Sequence, residues 1–134
     1  MRIIVDANPV ISILIKPGKP IDLLFVDELE LIAPALLFEE INRNKDGIVR
    51  KSDLSKEDIE KFLTILKNRI KVIPEGYFIR FKEKAEQICP DEKDMTYFAL
   101  ALYFKCPVWS DEKKLKEQEH VKVYSTHELM KLFI

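Results

Sequence analysis

The sequence predicts an α/β fold built on a parallel sheet of five strands. Short apolar runs alternate with longer segments of helical periodicity, and this alternation is typical of parallel strands joined by right-handed helical crossovers. The first run, Ile3-Ile4-Val5, is β-branched, as expected for a strand buried on both faces. With 134 residues, 47% hydrophobic and 34% charged, the chain is long enough for one core, and we expect a single domain over residues 1–134.

The chain begins with this strand and a helix. Asn8-Pro9 is typical of an N-cap followed by the first helical residue, so a short apolar helix is expected from there. Pro20 opens a second helical pattern that extends to Leu29. The next apolar run, Leu31-Ile32-Ala33, is predicted as the second strand.

A long helical region follows the second strand. Its pattern runs from Ala35 to Val49, with a break expected near Gly47 because glycine lowers helix propensity. Ser55, followed three residues later by Asp58, resembles a capping box and predicts the start of another helix, which continues to Ile70.

The second half contains three more strands and three more helices. The strands are predicted at Val72-Ile73, Pro107–Ser110 and Val121–Tyr124, and the helices at Phe78–Ile88, Asp94–Phe104 and Leu129–Phe133. The helix that starts at Asp94 is apolar nearly all round and should be packed on several sides. Ser125 and Glu128 form a capping box before the last helix.

The composition excludes several classes of protein. The net charge of −1 leaves no basic field, so any contact with nucleic acid must be local or bridged by metal. No run approaches the ~20 apolar residues of a membrane span, and without a signal peptide the chain is expected in the cytoplasm. Richness in Lys, Glu and Ile hints at a thermophile. Cys89 and Cys106 lie apart without a C-x-x-C pair, so buried thiols are expected rather than a zinc site.

Acidic residues recur where strands give way to helices. The positions are Asp6 after the first strand, Glu39 and Glu40 in the helix after the second, Asp91 and Asp94 before the apolar helix, and Asp111 and Glu112 after the fourth strand. Carboxyl ends of parallel strands meet at one edge of a sheet, where α/β proteins bind ligands. Carboxylates gathered there repel each other unless a cation intervenes. Their hard oxygens suit Mg²⁺ or Mn²⁺.

Each acid also has a structural explanation. Asp91, Asp94, Asp111 or Glu112 can serve as a helix cap or first-turn acid that complements the helix dipole. Glu39 and Glu40 lie in a charged stretch typical of a solvated helix face. These explanations remain open for each residue, but the placement of all four groups at strand ends favours a shared site.

Four segments resemble, in order, the motifs of the PIN-domain family, small metal-dependent ribonucleases that include the VapC-like toxins. The matching segments are Ile3–Asn8 around Asp6, Phe38–Ile41 around Glu40, Asp91–Leu102 around Asp94, and Val108–Lys113. The chain departs from the family at Ala7, where threonine is usual, and at Lys114, where a further acid sometimes occurs. In the last segment, alignment places Glu112 in the acid slot, with Asp111 one residue early.

The resemblance implies a three-layer α/β/α fold and an endoribonuclease that uses Mg²⁺ or Mn²⁺. Asp6 and Asp94 would bind the metal directly, and Glu40 and either Asp111 or Glu112 would complete the site. We favour Asp111, because it lies nearest the strand end and has the shorter side chain. Asn8 and Ser110 would position water or phosphate. The resemblance also implies a small antitoxin partner and a homodimer.

Two other functions remain as alternatives. Lys114 and the shifted Asp111 are compatible with a catalytically inactive PIN-like domain that only binds. A phospho-receiver domain also begins with an apolar strand and acids, but it needs an aspartate at the end of its third strand, where this chain has Pro74-Glu75.

Overall fold

The computed structural model describes residues 1–134 and contains one five-stranded sheet in the order β3-β2-β1-β4-β5. All neighbouring strands are parallel, and helices cover both faces, so the predicted three-layer α/β/α fold is confirmed. The strands are β1 (Arg2–Val5), β2 (Glu30–Pro34), β3 (Lys71–Ile73), β4 (Val108–Trp109) and β5 (Val123–Tyr124).

Seven α-helices and several 3₁₀ segments connect the strands. The α-helices are α1 (Ala7–Ile15), α2 (Leu36–Arg43), α3 (Lys45–Lys51), α4 (Lys56–Arg69), α5 (Lys82–Ile88), α6 (Met95–Phe104) and α7 (Thr126–Phe133). The 3₁₀ segments are Lys19–Phe25, Glu75–Tyr77, Ile79–Phe81, Glu92–Asp94 and Lys113–Glu117. None of the helices has the length and apolar character needed to span a bilayer.

The core lies along the central strand β1 and the apolar helix α6. Ile3, Ile4 and Val5 are fully buried, as expected for a strand with helices on both faces. Helix α6 contacts β1, β2 and β4, and its residues from Tyr97 to Ala101 are all buried. The prediction that this helix is central is confirmed.

The topology places the ends of β1, β2 and β4 side by side. Strand β1 pairs with β2 through Ile4 and Ile32 and with β4 through Val5 and Trp109. The residues that follow these strands therefore emerge at one edge of the sheet. The start of α6 comes to the same edge because α6 packs across all three strands.

Two helix boundaries differ from the sequence expectation. Helix α1 begins at Ala7, with the extended Asp6 as its N-cap residue, so Asn8 lies inside the first turn and is not the N-cap. The long helical region breaks at Asn44 rather than at Gly47. Asn44 donates its side-chain amide to the Glu40 carbonyl at 2.7 Å, and such local hydrogen bonds compete with helix continuation.

Four other elements are shorter than predicted, among them β4, which covers only Val108–Trp109 of the expected Pro107–Ser110. The pattern from Pro20 forms only the 3₁₀ segment Lys19–Phe25, and Leu29 lies beyond it. The segment Phe78–Ile88 becomes a 3₁₀ turn followed by α5, because Phe78 adopts a non-helical backbone conformation. Strand β5 is limited to Val123–Tyr124 because it pairs only with the two-residue β4.

Both serine caps are confirmed, with Ser55 capping α4 and Ser125 forming the capping box of α7.

Candidate active site

Asp6 is the acid at the end of the central strand. The residue is 2% exposed, and Oδ2 accepts a 2.9 Å hydrogen bond from the hydroxyl of Ser110, which directly follows β4. Burial raises the pKa of Asp6 to about 6, because removal from water disfavours the charged form, and the charge of Glu40 adds to this effect. The Ser110 hydroxyl and the backbone amides of Asn8 and Ala7 oppose the increase.

Asp94 reaches the same edge from the start of α6. It is 7% exposed, and burial raises its pKa to about 7. The charges of Asp6, Asp91, Glu40 and Glu112, in that order, also contribute to this increase. The structure therefore places these four acids around Asp94, near enough for each to repel its charge.

Glu40 is held by a residue that the sequence analysis did not identify. Its Oε1 accepts a 2.9 Å hydrogen bond from the hydroxyl of Tyr97, three residues after Asp94 on α6. Burial, and then the charges of Glu40 and Asp6, raise the pKa of Tyr97 well above its usual range, so it remains a hydrogen-bond donor. The only sequence signal was a hydroxyl-bearing ring among the apolar residues of α6.

The Asp111 side chain contacts helix α7. Oδ1 accepts a 2.7 Å hydrogen bond from the Thr126 amide and Oδ2 a 2.7 Å bond from the Thr126 hydroxyl. Both carboxylate oxygens are thus engaged with the first turn of α7. Glu112 donates its backbone amide to Ser110 Oγ at 3.1 Å, and its own carboxylate accepts no hydrogen bond.

The remaining predicted residues occupy different surroundings. Ser110 is buried and bonded to Asp6, whereas Asn8 is exposed at the start of α1. Glu39 is exposed on α2, one residue before Glu40. Asp91 caps the 3₁₀ segment before α6 by accepting from the Lys93 amide at 3.1 Å.

The family model described as PIN domain matches residues 4–130 of this chain. The chain belongs to the PIN-domain family. A comparison with curated protein sequences gives no significant match.

The fold of this PIN domain is also found among solved structures. A chain of the VapBC2 crystal structure from Rickettsia felis, bound to a DNA fragment from their promoter, superimposes with a TM-score of 0.65 at 16% identity. The match covers 93% of this chain and 98% of that one. At this identity the likeness concerns the fold alone. PIN domains are generally nucleases, so family membership supports a hydrolase.

The acids of this PIN domain have the chemistry to bind a divalent cation. The four salt bridges of the molecule involve other residues, so none of Asp6, Asp94, Glu40 and Glu112 is paired with a cationic side chain. No three acidic, histidine or cysteine side chains lie close enough together to enclose an ion. Like-charged carboxylates are expected to stay apart until a cation draws them together, and their oxygens are the ligands that Mg²⁺ and Mn²⁺ prefer.

Nothing in the structure supports the phospho-receiver alternative. Strand β3 ends at Ile73 and is followed by Pro74 and Glu75, not by an aspartate.

Cys89 and Cys106 are free thiols whose pKa is raised to about 11 by burial, so neither is an activated nucleophile.

Proposed function

We propose that this PIN domain is an endoribonuclease dependent on Mg²⁺ or Mn²⁺ and the toxin of a toxin–antitoxin pair. The observation that carries the proposal is the pair of buried carboxylates, Asp6 and Asp94, whose pKa values are raised where the strands end. Burying two unpaired acids destabilises a folded protein. Such an arrangement is typical of functional sites rather than of structural ones.

Each acid has a distinct role in this proposal. Asp6 and Asp94 bind the metal directly, because they are the most buried acids and repel each other. Glu40, oriented by Tyr97, and Glu112 complete the ligand set. We prefer Glu112 to Asp111 as the fourth ligand, because both oxygens of Asp111 are bonded to Thr126.

Two polar residues assist these acids. Ser110 donates to Asp6 Oδ2 and so fixes the direction in which the other carboxylate oxygen points. Asn8 is exposed beside Asp6, where its amide can donate to a phosphate oxygen or a water molecule. A divalent cation at such a site lowers the pKa of a bound water and offsets the charge of the phosphate.

The variant Asp6→Asn tests the metal site. The asparagine oxygen can still accept from Ser110, so the fold should be preserved, but the charge needed to hold the cation is lost. We expect cleavage of a mixed-sequence single-stranded RNA and of bulk tRNA to fall to background, as it should for wild type with a chelator. Asp53→Asn, at an exposed aspartate in the link between α3 and α4, is the matched control and should cleave normally.

The same experiment distinguishes the inactive-domain alternative. Full cleavage by a folded Asp6→Asn variant would refute the metal-site proposal. If wild type neither cleaves RNA nor melts at a higher temperature with Mg²⁺ or Mn²⁺, a domain that only binds is favoured. Lys114 and the lack of a preformed ligand cluster motivate this alternative.

The antitoxin partner is supported by the fold shared with a chain of the VapBC2 complex. A small open reading frame that overlaps the start of the gene would be the candidate antitoxin gene. Its product should co-purify with this PIN domain and relieve growth arrest caused by expressing the domain alone. We also propose a homodimer, which light scattering of the purified protein tests directly.

A further inference from the structure

Three hydrogen bonds connect the end of β4 and the residues after it to helix α7. The indole Nε1 of Trp109 donates to Thr126 Oγ1 at 2.9 Å. The same hydroxyl donates to Asp111 Oδ2 at 2.7 Å, and the Thr126 amide donates to Oδ1 at 2.7 Å. A charged acceptor with two short donors forms a directional contact, so it fixes both the position and the orientation of Asp111.

Asp111 lies between two residues that belong to the proposed site. Ser110, before it, donates to Asp6 and accepts from the Glu112 amide. Glu112, after it, makes no side-chain hydrogen bond or salt bridge, yet its charge raises the pKa of Asp94. The direction of the Glu112 side chain therefore depends on its backbone. That backbone is held by Ser110 Oγ, by the Leu115 amide, which donates to the Glu112 carbonyl at 3.2 Å, and by the neighbouring Asp111–Thr126 contact.

We propose that Asp111 is a positioning residue that acts through Thr126. By attaching the turn Ser110–Glu112 to α7, it keeps the Ser110 hydroxyl on Asp6 and fixes the backbone from which the Glu112 side chain extends. This inference rests on the proposed nuclease function, and it assigns to Asp111 a role other than metal binding. Both oxygens of Asp111 already accept from Thr126, so binding of metal by Asp111 would compete with this contact.

Helix α7 should remain folded when this contact is removed. It retains its capping box between Ser125 and Glu128, its buried Leu129 and the salt bridge from Lys116 to Glu128. Variants at Asp111 and Thr126 can therefore be compared in the folded state, with melting curves as the check.

Two pairs of variants test the proposal. Asp111→Ala removes both contacts, and Thr126→Val removes the hydroxyl while keeping the shape and the backbone amide. Asp111→Asn and Thr126→Ser are the conservative partners, because an asparagine oxygen can accept from the Thr126 amide and serine keeps the hydroxyl. We expect kcat for RNA cleavage to fall about 10-fold in the first pair, because small displacements of catalytic groups are costly. The KM of these two variants should be unchanged. The conservative variants, Asp111→Asn and Thr126→Ser, should keep a kcat close to that of wild type.

Two results would overturn the proposal. If Asp111→Asn is as inactive as Asp111→Ala while Thr126→Val is normal, then Asp111 acts through its charge on the metal or substrate. If all four variants cleave like wild type well below their melting temperatures, the contact serves stability alone.

Failure of the proposed function gives a different pattern. If wild type binds Mn²⁺, seen as a rise in melting temperature, but cleaves no RNA, then the substrate assignment fails. In that case the affinity for Mn²⁺ replaces kcat as the readout. Weaker Mn²⁺ binding by Asp111→Ala and Thr126→Val, restored in Asp111→Asn and Thr126→Ser, supports the positioning role. The same Mn²⁺ affinity in all four variants and wild type overturns it. If wild type binds no Mn²⁺ at all, both proposals fall together.

Discussion

Two carboxylates of this PIN domain, Asp6 and Asp94, are buried without a cationic side chain beside them. Burial raises the pKa of each, to about 6 and about 7 respectively. Near neutral pH each carboxyl therefore exists partly in its neutral form while no metal is bound. Binding a divalent cation requires both to ionise, so metal affinity should rise with pH across this range.

Removing the Asp94 carboxylate should alter how stability depends on pH. The pKa of Asp94 is about 7 in the folded protein, compared with 3.8 for an ordinary aspartate. Between pH 3.8 and pH 7 the folded state therefore binds more protons than the unfolded state. The free energy of unfolding of wild type therefore falls as pH rises through that window. Asp94→Asn cannot ionise, so without metal it should match wild type near pH 4 but be more stable by about 4 kcal/mol at pH 8, because each unit of difference in pKa corresponds to about 1.4 kcal/mol.

Urea unfolding with a chelator present measures this difference at each pH. The exposed Asp53→Asn variant is the control and should differ from wild type by the same small amount at every pH. A difference for Asp94→Asn that does not change with pH would contradict the assigned role of burial.

Replacing Tyr97 by phenylalanine should separate activity from stability. The ring is 1% exposed and phenylalanine fills the same space, so the loss of stability should be only about 1 kcal/mol. Glu40, however, loses the donor that orients it, and we expect RNA cleavage to fall about 10-fold. Cleavage rates and melting curves measured together test this prediction.

Tyr103→Phe provides the matched control on the same helix. Its ring packs edge-on against Phe81 and Phe104, and its hydroxyl donates to no side chain or carbonyl of the protein. Equal activities for the two variants would mean that Tyr97 contributes only to packing.

Among the elements, helix α4 has a tertiary role at its carboxyl end. Arg69, its last residue, donates to the carbonyls of Leu24, Val26 and Leu29. These carbonyls belong to the 3₁₀ segment and the turn that lead into β2. One guanidinium thus satisfies three backbone acceptors and fixes the entry to the strand that precedes Glu40.

Arg69→Lys should therefore be destabilising despite the retained charge. An ammonium group lacks the planar arrangement of donors that reaches three carbonyls, and we expect a loss of about 2 kcal/mol in the free energy of unfolding. Lys67→Arg, on the exposed surface of the same helix, is the control and should have little effect. Chemical denaturation that finds Arg69→Lys as stable as wild type would contradict this role.

At the scale of the whole molecule, metal binding and folding are linked. A cation that binds the folded acids and not the unfolded chain stabilises the protein by about 2.7 kcal/mol at 100 times its dissociation constant. For a chain of 134 residues, this corresponds to a rise of roughly 5–10 °C in melting temperature.

Thermal melting with increasing Mg²⁺ or Mn²⁺ measures this shift. The rise should disappear in Asp6→Asn, which lacks one of the two buried ligands, and persist in Asp53→Asn. An equal rise in both variants would place the cation elsewhere on the protein.

Local sequence patterns determined the layout of the fold and the neighbourhood of the site. The β-branched run before Asp6, the apolar α6 and the capping box at Ser125 depend on residues close together in the chain. Parallel topology then required the acids after β1 and β4 to meet at one edge. For these reasons the fold and the position of Asp6 could be predicted from the sequence.

Tertiary structure alone decided which polar groups face one another. Asp111 and Glu112 are adjacent, and chain position and side-chain length favoured Asp111 as the ligand. In the structure Asp111 accepts from Thr126, fifteen residues away, and Tyr97 reaches Glu40 across a separation of 57 residues. The orientation of a side chain depends on the partners that packing brings to it, and neither Thr126 nor Tyr97 belongs to the local segment that carries the acid it contacts.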